Sequence, residues 1–363
     1  MKESAAQENR VALTPDSAGR LMKSKVEVVV QRGAGERAGF PDDAYTKLGA
    51  RIADDATSAC AGARAVLKVQ PPTDEEIALL DERAVLVSLM RPGQHQATAQ
   101  RLAERNVSSL ALELVPRITR AQSMDVLSSQ STVAGYKAVL IGASELGKFL
   151  PMLTTAAGNI QPARVFVIGA GVSGLQAIAT ARRLGGVVSA FDVRPATREQ
   201  ILSLGATFVA AETLIVTAET STGYARLQTD DELARTIAAI AAHIKDMDLV
   251  ITTANIPGRK APRLISANVV RTMRHGAVIV DLAAENGGNC ELTRAGETVH
   301  EHGVTILGPV NLPSTVPFHA SQMFGRNVLT LLQHLFHEGD IVINPNDEIT
   351  AAMLVTHDGK VLR

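Results

Sequence analysis

The stretch RITRAQSMDVLSSQS, Arg117 to Ser131, gathers two guanidinium groups, two carboxamides, one carboxylate and several hydroxyls, with no His, Cys or Lys among them. Gln122 can pair with a carboxamide through its own donor and acceptor. Arg117 and Asp125 can hold each other and a ribose, and Ser128 adds a small hydroxyl contact. None of these groups titrates near pH 7, where a general acid or base must work. The set suits positioning rather than proton transfer.

About 50 residues on, Gly169, Gly171 and Gly174 form G-A-G-V-S-G between the apolar run RVFVI and the helical pattern LQAIATARRLG. In that context the first Gly permits a tight turn, the second lets backbone approach a pyrophosphate, and the third lets helix and strand pack closely. The N-terminus of the helix then offers unpaired N–H groups to a diphosphate, with Val172 of the turn beside it. Asp192 ends the next strand, with Val193 and Arg194 after it. A carboxylate there accepts from the ribose 2′-OH and repels a 2′-phosphate, which favours NAD over NADP; Arg194 softens the preference without overturning it. No metal site is expected.

Hydride transfer between two nicotinamides moves no proton. It needs one ring fixed, its carboxamide oriented and one face left open, and proximity supplies most of the acceleration. An alcohol or amino-acid dehydrogenase needs an acid/base as well. Of the nine histidines, all but His95 fall in helical patterns or loops at or after the nucleotide segment, without a partner motif.

Two α/β series must position these residues. Strands are expected at 25–30, 63–69, 84–89 and 107–114 with helices over 41–50, 73–81 and 95–106 between them, an alternation that builds a parallel sheet. A mostly helical segment over 128–150 connects to a second series with strands at 164–169, 187–192, 207–209, 248–254, 277–282 and 304–308. Residues 210–231 read as a long functional loop around Tyr224. The fold class is therefore α/β with two Rossmann-like parallel-sheet domains. The first spans 1–134 and is completed by 313–363; the second, 135–312, binds the dinucleotide.

A formal net charge of −1 gives no reason to expect nucleic acid as a partner. Cys60 and Cys290, with no metal spacing, read as free thiols in a reducing compartment. Lys2, Glu3, Glu8 and Arg10 break any apolar run at the opening, which argues against a signal peptide. The uncharged run from Val165 to Ala181 reaches only the lower length limit for a membrane span, and it reads better as strand then helix. No direct membrane insertion is expected.

The blocks PRITRAQSMDVLSSQSTVAGYKAVL, PMLTTAAGNIQPARVFVIGAGVSGLQAIATARRLGG, FDVRPATREQ, ITTANIPGRKAP and VIVDLAAENGGNCELT together resemble the soluble NAD(H)-binding component of proton-translocating nicotinamide nucleotide transhydrogenases. The resemblance covers nearly the whole chain. It implies that Arg117, Gln122, Asp125 and Ser128 surround the nicotinamide end, that Thr253, Ala254 and Asn255 lie near it, and that Gly223-Tyr224 sits on a mobile loop closing over NAD(H). Gln122, Arg117, Asp125 and Tyr224 would then serve catalysis. NADH bound here would give hydride to NADP(H) held on a partner subunit, and membrane-spanning subunits would couple the transfer to proton movement. A homodimer docked on the cytoplasmic face of the membrane is implied.

Two positions depart from the family. It usually opens on a short apolar strand before "KE", whereas Met1-Lys2-Glu3 stand where that strand ends; either the start lies upstream or the first domain has one strand fewer. The family's TTALIPG reads TTANIPG here, which puts Asn255 near the nicotinamide. Alanine dehydrogenases share the fold and the opening ENRVALTP, and in them an Arg matching Arg10 and a Lys matching Lys68 grip the substrate carboxylate. Their acid/base His follows the strand matching AVLVSL, where this chain reads Met90-Arg91-Pro92, and their acid segment reads Glu285-Asn286-Gly287-Gly288 here. Neither Arg10 nor Lys68 is assigned a catalytic role.

Overall fold

Short runs of three or four residues, mostly β-branched, aliphatic or small, form strands β1 (Val29–Gln31), β2 (Arg51–Ala53), β3 (Ala65–Leu67), β4 (Val85–Ser88) and β5 (Ser108–Ala111). The structure is a computed structural model describing residues 1–209, 228–255 and 259–363. The chain divides into two compact units, Met1–Gln130 with Pro313–Arg363, and Ser131–Leu312.

In the first unit β3, β4 and β5 pair in parallel. Every residue of β4 and β5 is buried because both faces are covered. Val85, Val87 and Leu110 face one core with Phe324 and Val328; Leu86, Val66 and Ala111 face another with Leu102. Strand β5 stops at Ala111 rather than running to 114. A 3-10 turn over Leu112–Leu114 follows, and the Glu113 carboxylate accepts from the Met90 N–H at 3.1 Å. Strands β1 and β2 pair with each other in parallel but form a separate sheet. The facing edges β1 and β3 both line a cavity of about 410 Å³, together with Leu21 and Leu332.

After the helix that ends at Glu145, the second unit carries a hairpin, β6 (Leu153–Thr155) and β7 (Gly158–Ile160), for which the sequence carries no clear alternating pattern. Its main sheet holds β8 (Arg164–Ile168), β9 (Val187–Phe191), β10 (Thr207–Phe208), β11 (Leu249–Thr252), β12 (Val278–Asp281), β13 (Thr298–Glu301) and β14 (Val304–Leu307). Their spatial order is β10-β9-β8-β11-β12-β14-β13, parallel except for β13. The chain leaves β8 in one direction and returns on its other side at β11. That reversal is the switch point at which such sheets bind ligands, outside the carboxyl ends of the strands. Val165, Val167, Leu249 and Ile251 supply one core and Phe166, Ile168, Val250 and Ile279 the other.

The run Val165–Ala181 is strand β8 followed by helix Val172–Arg183, and no described helix is long and apolar enough to cross a membrane. The connecting helix runs Val126–Glu145, slightly ahead of the expected span. Helix Asp230–Ile244 begins inside the stretch read as a loop, because Thr229 and Glu232 form a capping box that starts it. The helix Pro317–Leu335 then leads back to the first unit, ending in β15 (Phe336–His337), β16 (Asp340–Ile341), β17 (Leu354–His357) and β18 (Lys360–Val361), with β17 antiparallel to β5.

Candidate functional site

Asp125 precedes the helix that starts at Val126, and its carboxylate accepts from the Ser128 N–H at 2.9 Å and the Ser128 hydroxyl at 2.6 Å. A side chain that receives the free N–H groups of a first turn fixes where the helix begins. Gln122 lies on the preceding 3-10 segment Thr119–Met124, exposed, and its carbonyl accepts from the Asp125 N–H. Arg117 is also exposed. The turn therefore brings Gln122, Asp125 and Ser128 together on one short segment of the first unit.

Arg10 is buried in the same unit and already engaged. Its Nε and Nη2 donate to the two Glu8 oxygens at 2.8 and 2.7 Å, and its Nη1 donates to Gln130 at 2.8 Å. Burial alone would push the Glu8 carboxyl up, but Arg10 and Gln70 outweigh it and hold it at about 2. Lys68, fully buried, donates to both Glu76 oxygens at 2.6 and 2.5 Å. A substrate carboxylate reaching for Arg10 would have to displace Glu8.

In the second unit the glycine turn closes the end of β8. Gly169 takes φ +96°, a left-handed conformation that favours Gly. A Cβ there would meet the Thr253 hydroxyl at 2.5 Å. A Cβ on Gly174 would fall 1.8 Å from the Gly169 carbonyl oxygen, whereas one on Gly171 would meet nothing within 4 Å. Gly171 caps helix Val172–Arg183 without a side-chain hydrogen bond to its first turn. These features fit a diphosphate lying against the turn.

Asp192 is buried at the end of β9. Its Oδ2 accepts from the Ala170 N–H at 2.7 Å and Arg194 Nη2 at 2.9 Å; its Oδ1 accepts from the Arg194 N–H at 2.8 Å and Nε at 2.9 Å. The carboxylate thus ties the turn to the adjacent strand end while Arg194 folds over it. Val193 beside it is half-buried.

Across the switch point, Thr253 donates from its hydroxyl to the Gly169 carbonyl at 3.0 Å. Ala254 is gripped by Asn289, whose Oδ1 accepts from the Ala254 N–H at 3.0 Å and whose Nδ2 donates to the Ala254 carbonyl at 2.8 Å and to Pro262 at 2.9 Å. Asn289 is fully buried, and its own N–H donates to Asp281 at 2.7 Å. Asp281, at the end of β12, also accepts from Thr252, Ala283, Cys290 and Thr293. Asn255 is exposed and accepts from Asn286 at 3.2 Å. Gly223 and Tyr224 lie outside the described residues.

Sequence reasoning missed Asn289 and Asp281. The signal was the Gly287-Gly288 pair, whose φ of +98° and +77° let the chain fold back so that 289 and 290 reach Asp281. No group of His, Cys, Asp and Glu among the described residues could hold a metal. Burial pushes the Cys290 thiol up to about 11, so it stays protonated at neutral pH. His243 packs edge-on against Phe166 with Nε2 2.8 Å from the Ser189 hydroxyl, and His334 contacts Asp347. Both serve packing.

A doubly wound sheet with a glycine turn at its switch point and a buried acid on the next strand defines a dinucleotide-binding α/β protein. The family model described as alanine dehydrogenase/PNT, N-terminal domain, matches residues 1–134, and the one described as alanine dehydrogenase/PNT, C-terminal domain, matches residues 138–363. The chain is 44% identical to the first of the parts into which the NAD(P) transhydrogenase alpha subunit of Rhodospirillum rubrum is divided, over 99% of this chain and 96% of that one. A crystal structure of transhydrogenase from Sinorhizobium meliloti superposes with a TM-score of 0.90 at 43% identity, covering 99% of this chain and 98% of that one. An alanine dehydrogenase of Staphylococcus epidermidis is more distant, 29% identical over 93% of this chain and 87% of that one. The chain belongs to the alanine dehydrogenase/PNT family, on its NAD(P) transhydrogenase alpha-subunit branch.

Proposed function

We propose that this chain is the NAD(H)-binding component of a proton-translocating NAD(P)⁺ transhydrogenase and passes hydride from NADH to NADP⁺ held on a partner subunit. The observation that carries the reading is the likeness to the leading portion of a transhydrogenase alpha subunit along 99% of the chain. The polar turn at 117–128 supports it, because it supplies orientation without an acid or base. Met90-Arg91-Pro92, standing where the alanine dehydrogenases carry their acid/base His, argues against the amino-acid dehydrogenase alternative.

The dihydronicotinamide supplies the hydride; the protein's part is to hold it. The glycine turn and the first turn of helix Val172–Arg183 take the diphosphate, and Asp192 takes the adenosine ribose. Gln122 and Arg117 orient the nicotinamide carboxamide and ribose, and Asp125 fixes Ser128 beside them. Tyr224 is assigned the shielding of the site from water. Membrane-spanning subunits, absent from this chain, would hold the complex at the cytoplasmic face of the membrane and carry the proton.

The test is hydride exchange between NADPH and an NAD analogue with a transhydrogenase NADP-binding component added, against this protein alone with NADH, pyruvate and ammonium. Exchange only with the partner is the expected result; turnover in the control would instead mean an amino-acid dehydrogenase. In the same assay Gln122→Asn should slow exchange at least about tenfold while NADH affinity changes little, since a shortened amide loses orientation more than binding.

A homodimer belongs to the same proposal. Hairpin β6–β7 is exposed, as are Phe149 and Met152 beside it. An isolated two-stranded hairpin is marginal in water, so a second protomer is its natural cover. Light scattering should give twice 38.3 kDa, falling to one chain mass when 153–160 is replaced by a short Gly-Ser turn; a monomeric parent would remove the dimer from the proposal.

A further inference from the structure

The loop after β11 forms one lip of the crevice at the switch point, opposite the glycine turn after β8. Among the described residues, Thr253 is held by its N–H on the Ile168 carbonyl at 2.8 Å and its hydroxyl on Gly169, and the Ala254 peptide is held by the side chain of Asn289. The Asn289 carboxamide faces the Ala254 peptide with a donor and an acceptor at once, at 2.8 and 3.0 Å, and its second N–H reaches Pro262 at 2.9 Å. The backbone carbonyl of Asn289 accepts from the Leu264 and Ile265 N–H groups, and its backbone N–H is anchored on Asp281. Asn289 therefore joins three segments, 253–255, 262–265 and the end of β12. The Thr253 hydroxyl and the Ala254 N–H crowd Gly169, where a Cβ would lie 2.5 and 3.2 Å from them. Displacing Ala254 therefore displaces the lip relative to the turn.

We infer that Asn289 is a positioning residue for hydride transfer: it sets the height of the lip on which the nicotinamide half of the dinucleotide rests. This rests on the proposed function. In a doubly wound sheet the diphosphate sits on the glycine turn and the adenosine ribose at the next strand, here β9, which leaves the nicotinamide half to cross toward β11. Affinity is carried on the β8–β9 side, where Asp192 and the helix N-terminus act. Ring placement is set on the β11 side. A lip moved by a fraction of an ångström costs rate, because transfer depends steeply on the approach of the reacting atoms.

The experiment compares Asn289→Ala and Asn289→Asp with the parent chain, each with the NADP-binding component. It measures exchange rate at saturating nucleotide, NADH affinity by the fluorescence of bound NADH, and the emission maximum of that complex. Asn289→Asp keeps the volume and the acceptor for Ala254 but turns both donor contacts into oxygen–oxygen contacts, so it tests the pairing if Asn289→Ala folds poorly. In both variants exchange should fall about ten- to a hundred-fold, affinity should stay within about threefold, and emission should shift to the red as the ring gains water. Unchanged exchange in a folded variant overturns the inference. Parallel loss of exchange and affinity in both variants also overturns it, because it makes Asn289 merely structural. A parent chain that exchanges nothing with the partner would strike at the proposed function instead.

Discussion

Gly174→Ala is expected to abolish measurable NADH binding, a loss of at least about a hundredfold, or roughly 3 kcal/mol. The added Cβ would lie 1.8 Å from the Gly169 carbonyl oxygen and 2.8 Å from its carbon. Both are backbone atoms, so no rotamer change relieves the contact. Gly169 cannot yield either, since its φ of +96° is fixed by the turn and its N–H is held by the Phe191 carbonyl at 2.8 Å. The helix must move off the strand, and its first-turn N–H groups withdraw from the diphosphate. Gly171→Ala is the informative contrast, because its Cβ meets nothing within 4 Å. That variant should melt like the parent yet bind NADH weakly, its methyl occupying the space kept for the ligand. A Gly174→Ala protein that binds NADH normally would show that the helix N-terminus is not the diphosphate site.

Asp192→Ala should weaken NADH and strengthen NADPH binding, shrinking the discrimination between them by about thirty- to a hundred-fold. The carboxylate does two jobs: it anchors the Ala170 N–H of the turn and neutralises Arg194 through Nε and Nη2. Its removal takes away the acceptor for the ribose hydroxyl and releases a guanidinium suited to a 2′-phosphate. In the double variant with Arg194→Ala the NADPH gain should disappear. Discrimination that survives the loss of Asp192 would place the selecting carboxylate elsewhere. Titration of both nucleotides by equilibrium binding decides the matter.

Much of the second unit is legible in the sequence because its signals are local. Strand RVFVI, the three glycines, the following helix and Asp192 lie within one short segment, and each has a single steric or electrostatic reason for its place. The 126–145 helix is legible for its length. What is not legible depends on contacts between distant segments. Asp281 and Asn289 are ordinary polar residues until Gly287 and Gly288 fold the chain back and bring Ala254 within reach. Strand β13 has a mostly exposed pattern and forms because β14 offers it an edge. Spacing makes Arg194 a neighbour that softens a preference; its two-pronged grip on Asp192 depends on side-chain geometry that spacing does not encode. The Asp125–Ser128 pairing is a helix cap, and it shows in the sequence only once the helix is known to start at Val126 rather than at 128.

The division between β1 and β3 also divides cooperativity. Among the described residues the backbone ladder stops at both edges, so β1 and β2 are tied to the rest of the first unit chiefly through side chains such as Val28, Val30, Leu21 and Leu332. A strand pair held by packing opens without breaking the β3–β4–β5–β17 ladder. Opening of that kind has a smaller free energy than global unfolding. Over the described residues, amide protons of 29–31 and 51–53 are expected to exchange with solvent ahead of those of β4 and β5, as hydrogen exchange would read.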